Sequence, residues 1–220
     1  MAPRLYYHPF SSYCHKALLG FYENDIAFDA RIVEGPGSPC YEDLASLWPV
    51  KRFPFMVDGD RQVMEATCIV EHLQVYHPGP LRLIPADTAA ALEVRWLDRF
   101  FDNYISAPVQ KIVFNELRED PAVRDPYGVA EAHTMLDNAY GWLEKHMAGR
   151  VWAAGDAFTL ADCAAAPFLF YSHWVHPVGA SHPNIRSYRK RLLERPSFAR
   201  CVEDARPYRG FFPLPIPAGE

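Results

Sequence analysis

No apolar run in this 220-residue chain approaches the ~18–20 residues needed to span a membrane. The richest stretch, Cys163 to Tyr171, is short and carries Pro167. A secretory h-region is missing too: Met1 to Pro9 holds one arginine, and Tyr7, His8 and Pro9 follow almost at once. There is no C-x-x-C. The five cysteines, at 14, 40, 68, 163 and 201, are odd in number and widely spaced, which argues against a disulfide framework. Positive charge is not in excess: 22 Lys and Arg stand against 27 Asp and Glu, a net −5. Nucleic-acid binding by phosphate neutralisation is therefore disfavoured. Repeats and low-complexity tracts are also lacking. These absences leave a globular chain of one large or two small domains, expected in the cytoplasm, without membrane or nucleic-acid partners.

What is present is material for a core. Half of the residues are hydrophobic, 14% are aromatic and only 22% are charged, which excludes a disordered chain. The 20 prolines are close to twice the usual ~5% and imply many interrupted elements. Nine histidines raise the question of a metal. The tempting cluster is His173, His176 and His182, but Pro177, Gly179 and Pro183 break it. No Cys or carboxylate stands at ligand spacing, so no metal is expected.

Along the first third, strand and helix signals alternate. Leu5–Tyr7 reads as a strand, Ser12–Glu23 as a helix, Ala27–Val33 as a strand and Tyr41–Leu47 as a short helix. Phe55–Val57 and Gln62–Met64 flank an Asp-Gly turn and predict a hairpin. A helix over Glu65–Tyr76 follows. After His77-Pro78-Gly79-Pro80 the strand signals fade. Leu92–Val113 is a long helical run whose two adjacent stripes, Trp96/Phe100/Tyr104 and Leu97/Phe101/Ile105, predict packing against more than one surface. Pro108 should kink it. Further helices are expected over Ala132–Met147, from Thr159, and over Ile185–Leu193, with an irregular tail from Phe211. The expected fold is α/β followed by all-α: an α/β domain at 1–78, a linker at 79–87 and a helical domain at 88–220.

Three local features can carry chemistry. Ser11-Ser12-Tyr13-Cys14 stands where the first strand meets the first helix. A helix N-terminus has unpaired N–H groups and favours an anion such as a thiolate; equally, Ser11 or Ser12 can be a plain N-cap. Pro54 leads into the predicted hairpin, where a proline fits only at an edge or a first residue. A cis Phe53-Pro54 bond that frees backbone groups for a ligand is one solution, and an ordinary trans proline is the other. Glu65 suits the dipole of a first helical turn or an ammonium ligand.

In their order and spacing these motifs resemble the glutathione transferase superfamily over essentially the whole chain. Ser11-Ser12-Tyr13-Cys14-His15-Lys16 is similar to the family's S-P-[FY]-S-x-K turn. Arg52-Phe53-Pro54 looks like its K-V-P segment, Glu65-Ala66 like its Glu-Ser pair, and Thr159-Leu160-Ala161-Asp162 like its S/T-x-x-D capping box. The resemblance implies a thioredoxin-like first domain, glutathione as co-substrate, a two-fold homodimer and a serine-type site. It makes Ser11, with Ser12 beside it, the hydroxyl that stabilises the glutathione thiolate. Phe53 and Pro54 would present backbone to the cysteinyl part, Glu65 would take the γ-glutamyl ammonium, the Ala66 N–H its carboxylate, and Lys51 or Arg52 the glycine carboxylate. The second substrate, a small hydrophobic electrophile, is expected between the domains. Its walls would come from His8, Phe10, Tyr13, Asn103, Tyr104 and Phe114, with Phe211 and Phe212 over the mouth. Ala66 departs from the usual Ser, Lys51 from a common Gly and Cys14 from Ser. The Ser11-Ser12 pair also resembles the zeta-type branch and its maleylacetoacetate-type isomerases, although Tyr13 replaces that branch's Cys. An omega-type reductase would need Cys at position 11. A non-catalytic binding protein is the remaining alternative, since the fold does not fix function.

Overall fold

The computed structural model describes residues 2–220. Four strands, β1 (Arg4–Tyr7), β2 (Asp29–Ile32), β3 (Phe55–Asp58) and β4 (Arg61–Met64), form one sheet in the order β2-β1-β3-β4. β1 and β2 are parallel, which requires a crossover, and helix α1 (Ser12–Tyr22) supplies it. β3 pairs antiparallel with both β1 and β4. Helix α2 (Pro39–Leu47) precedes β3, and α3 (Ala66–Tyr76) follows β4. In the expected Asp-Gly turn, Gly59 takes the positive φ of 62°. Alternation along the strands sorts the two faces of the sheet. Leu5 and Met56 join the core under α1 and α3, whereas Tyr6, Phe55 and Val57 meet Leu44 of α2 on the other side. Pro54 lies just outside β3, so the ladder loses no donor.

The remainder is helical: α4 (Thr88–Phe100), a π-helical turn (Phe101–Ser106), α5 (Ala107–Glu116), α6 (Pro126–His146), α7 (Leu160–Val175), α8 (Pro183–Glu194) and α9 (Pro196–Ala205). Short 3-10 turns occupy Pro121–Val123 and Arg206–Phe211. α7 is the axis of this part. It is buried from Leu160 through Ser172 and packs against α1, α4, α5 and α8. Its first turns are rich in alanine, which lets neighbouring helices approach closely. No helix among the described residues is long and apolar enough to cross a membrane.

The long run behaves differently from the expectation at Pro108. The helix widens one turn earlier, in the π segment, and the Ala107 N–H reaches back to the Asp102 carbonyl. A proline cannot donate to the carbonyl four residues before it, and the wider turn accommodates that loss ahead of Pro108. The two stripes also differ in fate. Leu97, Phe101 and Ile105 are fully buried, whereas Trp96 and Tyr104 are half-exposed to either side of a buried Phe100.

Candidate functional site

Three chain reversals meet at one end of the sheet: His8–Ser11 after β1, Lys51–Pro54 before β3, and Met64–Ala66 after β4. With one face of α5, Tyr171 of α7 and Phe211–Pro213 of the tail, they enclose a cleft of about 790 Å³. Its sheet side is polar, carrying Ser11, Ser12, Lys51, Arg52 and Glu65; its helical side is apolar, carrying Val109, Val113, Phe114 and Tyr171.

Ser11 is the N-cap of α1. Its N–H donates to the His8 carbonyl (3.0 Å), and its hydroxyl oxygen accepts from the Cys14 N–H (3.4 Å). Capping uses one lone pair and leaves the O–H as a donor. Ser12 begins the helix and also lines the cleft. Cys14 does not line it. The thiol is fully buried, and that burial pushes its pKa up to about 12 despite bonds from Ser11 and the His8 N–H. A thiol so placed is neutral and inaccessible, which disfavours chemistry centred on Cys14.

His8, Phe10 and Tyr13 all line the cleft. His8 Nδ1 accepts from the Phe10 N–H (3.1 Å), its ring packs on Tyr208 at 4.7 Å between centroids, and burial lowers its pKa. The Tyr13 ring meets Phe168 edge-on at 5.0 Å, and burial raises the phenol above its ordinary value, so it is a poor acid.

The Phe53-Pro54 bond is cis. Lys51, with φ 57°, and Arg52 reach the cleft from the same segment, the Lys51 Nζ lying 6.0 Å from the Tyr41 ring centroid. Glu65 is not the first helical residue that its sequence position suggests. It is the N-cap of α3, held at φ 70° and ψ 130°, and its carboxylate caps nothing. The backbone is strained there, the side chain is exposed, and the first-turn N–H groups of α3 beside Ala66 have no side-chain cap. Two helix N-termini, of α1 and α3, thus meet the polar wall, an arrangement that favours anions.

Two expected wall residues lie elsewhere. Neither Asn103 nor Tyr104 lines the cleft; Tyr104 stands with Trp96, Phe100, Tyr127, Met135 and Trp142 on a separate groove of about 780 Å³ between α4 and α6. The π turn carries positions 103 and 104 away from the face that α5 presents. Phe114, Phe211 and Phe212 do line the cleft. Sequence reasoning missed Val109, Val113 and Leu117, which share the Phe114 face at helical spacing, and Tyr171, which no local pattern signals. The three histidines 173, 176 and 182 do not converge: His173 accepts from the Val178 N–H, His176 meets Asp137, and His182 meets Ser181.

Both parts of the chain match known domain families. The domain family described as "Glutathione S-transferase, N-terminal domain" matches residues 5–81, and "Glutathione S-transferase, C-terminal domain" matches residues 126–191. Glutathione S-transferase 3 of Zea mays is 28% identical over 228 residues, covering 99% of this chain and 98% of its own length. A stringent starvation protein A homolog of Coxiella burnetii is also 28% identical, over 91% of each chain. Among solved structures, a glutathione S-transferase from Methylobacterium radiotolerans in complex with glutathione sulfonate superposes with a TM-score of 0.77. It is 25% identical, and the match covers 92% of this chain and 95% of that one.

Proposed function

The chain belongs to the glutathione S-transferase family, and from that premise we propose that it activates the thiol of glutathione for attack on a hydrophobic electrophile held in the same cleft. The observation that carries this reading is the Ser11 hydroxyl at the N-terminus of α1, facing an apolar wall across one cavity. Glutathione brings two carboxylates and one ammonium. Lys51 or Arg52 and the uncapped N-terminus of α3 offer partners for the carboxylates, and Glu65 offers one for the ammonium. Ser11, with Ser12 as the neighbouring hydroxyl, donates to the thiolate while the N–H groups of α1 add their dipoles. Catalysis is then thiol activation plus proximity, with no covalent enzyme intermediate. The electrophile rests against Phe10, Val113 and Phe114. Residues 1–78 form the glutathione-binding domain, 79–87 the linker and 88–220 the helical domain, a division supported by the ends of α3 and α4. The enzyme works in the cytoplasm as a homodimer; the half-exposed Trp96, Tyr104 and Trp142 give a second copy an apolar groove to cover.

A charge-assisted hydrogen bond contributes about 1.5–3 kcal/mol, so Ser11→Ala should raise the bound thiol's pKa by about 1–2 units. Turnover near neutral pH should fall about 10–100-fold by the same conversion and recover partly in alkali. Cys14→Ser should stay within a few-fold of the parent. Thiolate absorbance titrations with each variant decide the matter. If Ser11→Ala titrates like the parent and Cys14→Ser abolishes activity, the serine assignment fails. A non-catalytic role is the second reading, favoured by equal identity to the Coxiella relative, whose name carries no transferase. Retention on immobilised glutathione without turnover of any electrophile in a broad panel would select it.

A further inference from the structure

At the pole of the sheet away from the cleft, three ligating side chains converge. Asp58 ends β3 beside the hairpin turn, His72 lies on α3, and His77 is the residue at which α3 stops. The Nε2 atoms of both imidazoles lie 2.8 Å from the same carboxylate oxygen, Asp58 Oδ2. All three ligand atoms fall within 4.8 Å of one another. On a continuing α-helix, positions five apart point about 140° away from each other. Here the helix ends at Tyr76, and His77 leaves it with φ −133° and ψ 55°. Its ring swings back until the two centroids are 6.3 Å apart. The Asp58 and His72 side chains are nearly buried, whereas the His77 side chain is 28% exposed, so the point of convergence opens to solvent on one side.

As hydrogen bonds, both Nε2–H groups donate to a single oxygen. In the other imidazole tautomer both Nε2 lone pairs face that point instead, beside an anionic oxygen. Two imidazole nitrogens and one carboxylate oxygen, with a side open to water, are a donor set for a zinc-type ion. We propose that Asp58, His72 and His77 bind one divalent transition-metal ion of the zinc class, with water completing a four-coordinate shell. Tetrahedral ligands at ~2.0–2.1 Å stand about 3.3 Å apart, so each imidazole nitrogen needs to retreat from the carboxylate oxygen by about half an ångström, while the two nitrogens, no more than 4.8 Å apart, need to close by at most about 1.5 Å. The ion would join the far ends of β3 and α3, whose near ends carry Pro54 and Glu65 at the cleft. Its role is to stiffen the sheet–helix unit, not to touch the chemistry.

The test uses the full chain without a histidine tag, stripped of metal and free of glutathione, and titrated with zinc. One ion per chain is expected. The melting temperature should rise by about 5–10 °C at a hundredfold excess over Kd. His77→Gln and Asp58→Asn should each weaken binding at least about 100-fold, since even outer-sphere partners account for 10–100-fold; His133→Gln, remote from the site, should not. Cobalt(II) bound to the parent should give a four-coordinate ligand-field spectrum lacking a thiolate charge-transfer band. That measurement stands even if a variant does not fold. No zinc retained, equal affinity in folded His77→Gln, or a thiolate band would each overturn the site.

Discussion

His15 shows how much a single buried ring can decide. It is fully buried behind the Ser11 turn, with Nε2 2.5 Å from the Pro9 carbonyl and Nδ1 without a partner. Only the neutral Nε2–H tautomer fits, and burial lowers its pKa to about 4. The folded pKa lies below the unfolded value, so this contribution to stability is complete above about pH 6.5 and is lost as pH falls towards 4. The loss amounts to roughly 3 kcal/mol. Thermal unfolding across that window should show the decline, and His15→Leu should flatten it; parallel curves would exonerate His15. At the cleft the Glu65 carboxylate is exposed, so Glu65→Ala should weaken glutathione binding by about 1 kcal/mol, less than the ~2–5 kcal/mol of a buried, desolvated charge pair. Calorimetric titration measures it, and an unchanged affinity would leave Glu65 without a role at the ammonium.

Among the elements, α7 depends most on its first turn. Asp162 Oδ2 accepts from the Thr159 N–H (2.8 Å) and hydroxyl (3.1 Å), while Oδ1 accepts from the Ala153 N–H (2.9 Å) and the Tyr188 hydroxyl. Thr159→Ala should cost ~1 kcal/mol, as lost caps do. Asp162→Ala strands four buried donors and should cost about 3–5 kcal/mol. Chemical denaturation reads both, and a variant that kept its stability yet lost turnover would refute a purely structural role. The capping box was legible in Thr159-Leu160-Ala161-Asp162 because a cap is written within four residues. The strands, the Asp-Gly hairpin and the order of elements through α3 were legible for the same reason, whereas α9 (Pro196–Ala205) was not anticipated. Asn103 and Tyr104 were misplaced because their direction depends on a π turn, whose wider winding no apolar spacing announced. Tyr171 and the Asp58–His72–His77 convergence were invisible because they join segments distant in sequence or bend around a helix end.

For the molecule as a whole, the two parts are locked by charge as well as by packing. The Lys16 Nζ of α1 lies fully buried, 2.6 Å from Asp98 and 2.8 Å from Asp102, and Arg99 closes on both carboxylates from outside. Thr67 of α3 donates to Asp98 as well (2.9 Å). Lys16→Met removes the inner cation and leaves its carboxylates short of a partner, so it should destabilise the chain by about 3–5 kcal/mol. Urea unfolding tests this; a loss under 1 kcal/mol would mean that Arg99 alone suffices. The connection between the parts is equally fixed, with Asn24 bonded to the Leu81 N–H, Gln74 bonded both ways to Ile84, and Leu160 to the Leu83 carbonyl. The π turn at Phe101–Ser106 has a consequence for heredity. Its i→i+5 closure takes up one residue more than an α turn does over the same sweep, so loss of a single codon within it would leave an ordinary α turn with Val109, Val113 and Phe114 still facing the cleft. Point changes on the α5 face can retune the choice of electrophile one side chain at a time, whereas a one-residue deletion between Val109 and Val113, where no wide turn takes up the lost ~100°, would turn Val113 and Phe114 off the wall together.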